Sequence, residues 1–415
     1  MGQVNELAEK AWAGEIAGTM VHAQGPVMLE EYGPGLAFVS AFSNVLVVDS
    51  PDGLVLIDTS SPFHAYQMFA EVRGWTKRPL RTGIYTHGHV DHVFGMQPFE
   101  EEAKAAGGLL PEVVAHENVA ARFDRYALTN GYNGIINQRQ FGFPSPVFPR
   151  KFRYPDRTLR DHLVLGEGAA RVELFHDRGE TDDHVWAWLP EHRALYTGDL
   201  FIWASPNCGN PQKVQRYPLQ WAAALRKMDA LAADKLFPGH GPPIVGSARV
   251  HQALTESALL LETVCEQTLR LMNEGARLND IVHAVKVPEH LLARPYLRPV
   301  YDDPEFIVHN LWRLYGGWWD GNPAQLKPAP DVALAGELAH LAGGSAALRA
   351  RAEQLAAAGE LRLACHLIEL AWQATPDDSS VSGARSAIYK QRVAAETSLM
   401  AKGIFGYAAR QSEPK

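Results

Sequence analysis

Cysteine is almost absent from this chain: three in 415 residues, at positions 208, 265 and 365, with no Cys-x-x-Cys pair. So sparse and odd a count excludes a disulfide framework and a thiolate zinc site, and it fits a reducing compartment. Positive charge is also in deficit, with 39 Lys and Arg against 47 Asp and Glu, a net charge of −8 and a pI near 6.1. That balance argues against a general binder of nucleic acid or of anionic membrane. No uninterrupted apolar run approaches the roughly 18 residues of a membrane span. The amino terminus, MGQVNELAEKAWAGE, is polar with charges of both signs and lacks the basic start and apolar stretch of a secretory signal. The expectation is a cytoplasmic protein with no membrane and no nucleic-acid partner.

Ordinary globular material fills the rest: 46% hydrophobic, 21% charged and 9% aromatic residues, with a mean hydropathy of −0.18. At about 150 residues per domain the length suggests two or three units. Two halves with different patterning are visible. Up to about residue 246, short β-rich runs alternate with turns and short helical stretches. Asn44–Asp49 and Leu54–Asp58 flank the turn Ser50-Pro51-Asp52-Gly53. Further strands are expected at Thr82–Thr86, Val113–Ala115, Arg171–His176, Val185–Leu189, Ala194–Tyr196 and Lys235–Phe237, with helices at Phe63–Gly74 and Leu219–Ala232. Strands interleaved with helices predict an α/β fold with covered sheets.

From residue 247 the strand signals stop. Leu254, Ala258, Leu261, Cys265, Thr268 and Met272 mark one face of a long helix ending at Gly275. Helical patterns follow at Asp280–Val285, Pro304–Tyr315, Val332–Ala342, Ala346–Ala358, Leu361–Ala374 and Ser382–Ala401. The aromatic cluster Trp312, Tyr315, Trp318 and Trp319 reads as core rather than interface.

The chemistry is concentrated in Thr86-His87-Gly88-His89-Val90-Asp91-His92, four ligand-type side chains within six residues of a buried strand. On a tight loop His87 and His89 can project together onto one cation, leaving Asp91 and His92 for a neighbouring one. Imidazole and carboxylate suit zinc and related first-row metals. A His-rich surface loop is the alternative, but three histidines at these spacings arise by chance in roughly three of a hundred such chains, before Asp91 is required. Gly179-Glu180-Thr181, Gly198-Asp199 and Pro238-Gly239-His240-Gly241 each follow an expected strand, where α/β sites collect. Taken alone, each has a structural explanation: a solvated loop acid, a turn residue, a hydrogen-bonded turn imidazole.

Together, in this order, THGHVDH, G-E-T, T-G-D and P-G-H-G resemble the metallo-β-lactamase superfamily over roughly residues 25–246. The resemblance implies an αββα sandwich with a dinuclear metal site at one edge. By matching position, the first metal takes His87, His89 and Glu180, the second takes Asp91, His92 and His240, and Asp199 bridges both. Glu180 stands where most of the superfamily has His, which leaves manganese or iron beside zinc as the metal. The alkylsulfatases of the superfamily also place Glu there. The second half, in NLWRLYGGWWDGNPAQLKPAP and ETSLMAKGIF, resembles their helical dimerisation domain. The expected organisation is therefore a catalytic domain over residues 1–246 and an all-α dimerisation domain over 247–415, assembled as a homodimer.

Three departures bear on the substrate. Those sulfatases carry an Asn followed shortly by an Arg that holds sulfate. Here Asn207 is suitably placed, but Asn210-Pro211-Gln212 occupies the position of the Arg, and Arg216 lies several residues late. The bridging acid is Asp199 where the sulfatases use Glu. With the sequence ending at Lys415, the sterol-carrier-like domain that those enzymes append is not expected here.

The implied reaction is hydrolysis by a hydroxide bridging two cations, acting on a sulfate ester or on a carboxylic ester, lactone or thioester. Asp91 and Asp199 are the catalytic carboxylates in this reading, with Asp199 holding the nucleophile and shuttling its proton. His184 is expected to orient a ligand. Asn207, Arg216, Asn133 and Arg139 are candidate substrate contacts, the last two from a Gly- and Pro-rich insert over residues 122–153 that can equally be a surface loop bridging a dimer. Two other classes compete. The acidic balance opposes a nuclease, and a non-catalytic metal-stabilised dimer has little need of seven ligand-type residues.

Overall fold

The computed structural model describes residues 2–16 and 26–413. The chain forms two compact units: Met1–Asn130, Pro149–Ala276 and Asp280–Tyr315 make the first, and Gly131–Phe148, Arg277–Asn279 and Gly316–Lys415 the second.

In the first unit, helix α1 (Gln3–Trp12) precedes a seven-stranded sheet in sequential order: β1 (Met28–Glu31), β2 (Leu36–Ser40), β3 (Val45–Ser50), β4 (Gly53–Ile57), β5 (Leu80–Ile84), β6 (Glu112–His116) and β7 (Arg157–Leu159). The first four pair antiparallel and the last four parallel. Gly53 closes the β3–β4 turn at φ +133°, where a side chain would be strained, and the Ser50 hydroxyl donates to its carbonyl at 2.6 Å.

A six-stranded sheet follows, built from β8 (His162–Leu165), β9 (Val172–His176), β10 (Val185–Leu189), β11 (Ala194–Ile202), β12 (Lys235–His240) and β13 (Ile244–Val245). Only β11 and β12 pair parallel in it.

Strand patterning explains why these sheets stack. Leu36, Phe38, Leu46, Val48 and Ile57 of the first sheet pack against Leu174, Val185, Ala187, Tyr196 and Phe237 of the second. The alternate residues Ala37, Val39, Val47 and Leu56 face Met68 and Val72 of α2 (Ala65–Trp75), Phe99 of α3 (Gln97–Ala105) and Phe123 of α4 (Asn118–Leu128). With both faces covered, β2, β3 and β4 are apolar along most of their length. Each large side chain so buried contributes about 1.5–3 kcal/mol. Trp221, Leu225 and Met228 of α6 (Pro218–Asp229) cover the second sheet. An αββα sandwich results. The long helix α7 (Ser247–Asn273) packs on α6.

The insert over residues 122–153, read as pocket lining or equally as a surface loop, is helical as far as Phe141, in α4 and α5 (Asn130–Phe141). Gly134 allows this: a Cβ there would stand 3.1 Å from the Pro146 side chain, so the glycine lets the returning chain lie against the helix.

After α8 (Leu278–Ala284), α9 (Glu289–Leu292), α10 (Pro304–Gly316) and α11 (Pro323–Leu326), the second unit is a helical array of α12 (Asp331–Ala342), α13 (Ser345–Ala357), α14 (Leu361–Ala374), α15 (Ser379–Ala395) and α16 (Leu399–Gln411). Ala352, Ala364, Ile368, Val381 and Ile388 form its core. The single helix expected over Ser382–Ala401 is two helices, because Ser398 caps a new start by accepting the Ala401 N–H. The aromatic cluster also differs from expectation: Tyr315, Trp318 and Trp319 are exposed, Trp318 at 70%. No helix among the described residues is long and apolar enough to cross a membrane.

Candidate metal centre

Strand β5 ends at Ile84 and delivers the loop His87–His92 to the mouth of the sandwich. Glu180 sits in the β9–β10 loop. The carboxyl ends of the parallel neighbours β11 and β12 bring in Asp199 and His240. Asp199 does not follow its strand, as the sequence suggested; it lies inside β11, where the pairing with β12 shifts register on either side of Gly198. That bulge turns the carboxylate toward the histidines. Gly239 makes the turn possible, since a Cβ there would meet Asp199 Oδ1 at 2.3 Å.

Two groups of donor atoms result. His87, His89, Glu180 and Asp199 form one, and Asp91, His92 and His240 the other, with the donor atoms in each within 4.8 Å of one another. Glu180 Oε2 stands 3.3 Å from His89 Nδ1 and 3.5 Å from His87 Nε2. In the other group, Asp91 Oδ2 is 3.3 Å from His240 Nε2 and 3.6 Å from His92 Nε2. Asp199 reaches both: Oδ2 is 3.8 Å from His87 and 3.4 Å from His240, and Oδ1 is 3.4 Å from His92.

Partners behind the rings fix which nitrogen faces inward. His92 Nδ1 bonds Asp58 Oδ2 at 2.8 Å, His240 Nδ1 bonds the Phe42 carbonyl, and His87 Nδ1 bonds the Thr86 hydroxyl at 2.9 Å. Each turns Nε2 toward the cluster, where that of His92 also lies 3.0 Å from the Ser43 hydroxyl. Asp58 also receives the Thr86 N–H at 2.8 Å and the Tyr196 hydroxyl at 3.1 Å, from a left-handed backbone (φ 59°) that Asp tolerates better than most residues. His184 Nε2 accepts the Asp199 N–H at 3.1 Å, and its ring stacks on His87 with centroids 4.8 Å apart. The His87–His89 loop is tied down by Asp183, which accepts from Gly88 N at 3.1 Å and from the buried Arg122 guanidinium at 2.6 Å.

The electrostatics are those of a cation trap. Burial and the neighbouring imidazoles drive the His87 pKa well below its usual value. At His92 burial acts in the same direction, but Asp199, Asp58 and Asp91 overcome it and raise the pKa. Burial likewise opposes His240, yet Asp199 and Asp91 push it up to about 10. The donor chemistry fits divalent metal. Ring nitrogens of His87 and His89 converge at 2.8 Å, and two buried carboxylate oxygens, Glu180 Oε2 and Asp199 Oδ1, have no hydrogen-bond partner. Such orphans are costly unless something positive joins them.

Residues 41–240 match the family described as the metallo-beta-lactamase superfamily, and residues 277–414 match the alkyl sulfatase dimerisation family. Just under half of the chain, residues 41–240, is thus similar to the metallo-beta-lactamase superfamily. Within it, the resemblance is to the alkylsulfatases. A linear primary-alkylsulfatase of Pseudomonas sp. is 28% identical over 341 residues, covering 76% of this chain and 63% of that protein. The alkyl/aryl-sulfatase BDS1 of Saccharomyces cerevisiae is 25% identical over 370 residues, 81% of this chain and 56% of its own length. This chain therefore spans less than two thirds of either relative. The solved structure of the stereoselective inverting sec-alkylsulfatase Pisa1 from Pseudomonas sp. shares the fold at 22% identity with a TM-score of 0.83, over 94% of this chain and 66% of that one.

The four expected substrate contacts are placed differently from one another. Asn207 and Arg216 lie beside the first donor group, both bonded to Glu180 Oε1, at 2.7 and 2.5 Å. Asn133 and Arg139 belong to α5 in the second unit, where the Arg139 guanidinium lies 5.6 Å from the Tyr407 ring centre. Sequence reasoning missed Asp58, Arg122, Asp183 and Lys213. Lys213, one residue past Asn210-Pro211-Gln212, is half-buried; burial, with Arg216 adding to it, lowers its ammonium to about 8, while Glu180 and Asp91 oppose that drop. A local signal existed for Asp58, an acid directly after a buried strand.

Proposed function

We propose that this chain is a dinuclear metal-dependent hydrolase of the alkylsulfatase type that cleaves a sulfate ester. The observation that carries the proposal is the convergence of seven donors in two adjoining groups with Asp199 common to both. His87, His89 and Glu180 would hold one cation, Asp91, His92 and His240 the other, and Asp199 would bridge; zinc is the foremost candidate, with manganese or iron as alternatives. When bound, such a pair supplies a water of lowered pKa and a Lewis acid for the ester oxygens.

The remaining work falls to the chain's own groups. Asp199, held by His184 through its backbone N–H, orients the attacking water and takes its proton. Asp91 shares the His240 side of the site and balances its charge. Asp58 and the Phe42 carbonyl hold ring tautomers. Lys213, whose ammonium feels the charges of Glu180 and Asp91, would be a cation for the anionic end of a sulfate ester.

A second reading, hydrolysis of a carboxylic ester, lactone or thioester, is favoured by one observation: the Arg216 guanidinium is occupied by Glu180 and the Asn207 carbonyl rather than presented to an anion. The second unit, matched by the alkyl sulfatase dimerisation family, would carry a homodimer contact. A panel of chromogenic sulfates, phosphates, carboxylic esters and lactones with metal-reconstituted protein decides between the readings. The sulfatase reading expects sulfates to be cleaved well above carboxylic esters; the reverse order selects the second.

A further inference from the structure

Arg216 is a buried cation whose place in the fold is tightly fixed. Its backbone N–H donates to Asn310 Oδ1 at 3.2 Å and its carbonyl accepts from Asn310 Nδ2 at 3.0 Å. Its side chain is 3% exposed, and that of Glu180 is 2% exposed. One guanidinium nitrogen, Nη1, bonds Glu180 Oε1 at 2.5 Å and also the carbonyl of Asn207. The Asn207 amide donates to the same Oε1 at 2.7 Å. The two carboxylate oxygens of Glu180 thus lead different lives. Oε1 receives two donors, while Oε2 receives none and faces His87 and His89.

We infer that Arg216, with Asn207, is a positioning pair that claims one oxygen of Glu180 and so presents the other alone to the first cation. This rests on the proposed reading of His87, His89 and Glu180 as cation ligands. Three consequences follow from general chemistry. A carboxylate with one oxygen already taken by a guanidinium binds a metal through a single atom instead of chelating it, which keeps a coordination position open for water or substrate. The charges of Glu180 and Arg216 cancel, so the pair contributes to the first site as a nearly neutral donor, like an imidazole. An isolated buried carboxylate would be strongly destabilising, whereas the ion pair with an added amide bond satisfies it. Nη1 of Arg216 is therefore committed to Glu180 and the Asn207 carbonyl rather than to substrate.

The test uses the whole chain and cobalt(II) alone as probe, read by visible absorption and by bound-metal stoichiometry. Wild type should take up two cobalt ions per chain with intense bands of low coordination number. Arg216→Met frees Oε1 to chelate, so the bands should lose intensity and shift to shorter wavelength at unchanged stoichiometry. Arg216→Lys covers the case in which the Met variant does not fold: it keeps the charge but lacks the fork, and should show the same change to a smaller degree. The double variant Glu180→His, Arg216→Met should recover the wild-type intensity, because a neutral imidazole has one donor atom and needs no counter-ion. A wild-type spectrum in both single variants, with two cobalt ions bound, overturns the inference alone. A wild-type protein that binds no cobalt overturns the metal reading beneath it.

Discussion

Asp58 Oδ2 lies 2.8 Å from His92 Nδ1, in a fully buried contact between residues 34 positions apart. It sets the ring so that Nε2 faces Asp91 and Asp199. Asp58→Asn keeps the shape and tolerates the left-handed backbone, but its amide can donate to Nδ1 and drive the ring proton onto Nε2. Zinc affinity, measured by competition with a chelator, should fall about 10–100-fold. An unchanged affinity would show that His92 is not a ligand through Nε2.

Lys213 supplies a second expectation, one that separates substrate classes. Loss of a charge-assisted hydrogen bond removes about 1.5–3 kcal/mol, so Lys213→Ala should raise KM for a sulfate ester about ten- to a hundredfold while kcat changes less. KM for an uncharged lactone should not move. The ammonium, lowered to about 8 by burial, loses its charge as pH rises through that value. KM for the sulfate should therefore climb above pH 8 in the wild type and stay flat in the variant. Equal effects on both substrates would remove Lys213 from anion recognition.

Asp302 makes stability depend on pH. Burial raises its carboxyl to about 7 from 3.8, while its Oδ2 accepts the Gly209 N–H at 2.7 Å. Between these values the unfolded chain has released a proton that the folded chain retains. The contribution of Asp302 to stability therefore declines as pH rises from about 4 to 7 and is level above that. Asp302→Asn keeps an acceptor and carries no charge, so relative to wild type it should gain about 1–3 kcal/mol of unfolding free energy between pH 5 and 8. Urea unfolding at the two pH values measures this. A constant difference would mean that Asp302 is ionised throughout.

Helix α12 is inside out for a solvated helix: Ala335 and Ala339 are buried, while Leu334, Leu338 and Leu341 are exposed, Leu341 at 79%. If a second copy covers this face in the proposed dimer, Leu338→Glu with Leu341→Glu should convert the protein to a monomer in sedimentation without loss of helicity. A stable dimer would place the contact elsewhere.

Much of this was legible from local pattern. Short apolar runs between turns marked the strands because both faces of each sheet are covered, and THGHVDH stood out because its ligands are neighbours in sequence. What lay hidden depends on tertiary approach. Asp58 and His92, or Glu180 and Arg216 at 36 residues' separation, leave no periodic trace. The helices of the insert leave no clear local signal because Asn and Gly are poor helix formers, whereas Gly134 lies in α5 against Pro146. Asp199 reads as lying just past its strand because a bulge inside a strand carries the same Gly-Asp signature. The aromatic run near residue 318 was assigned to core since aromatics at helical spacing usually pack, yet the rings of Trp318 and Trp319 face out.

The central claim is a pair of cations held between positions 87 and 240, and elemental analysis tests it most directly. Purified full-length chain, offered zinc, manganese and iron in turn and then freed of excess, should retain two equivalents of at least one of them, with Asp199→Ala retaining fewer. Trace occupancy with all three metals would contradict the account.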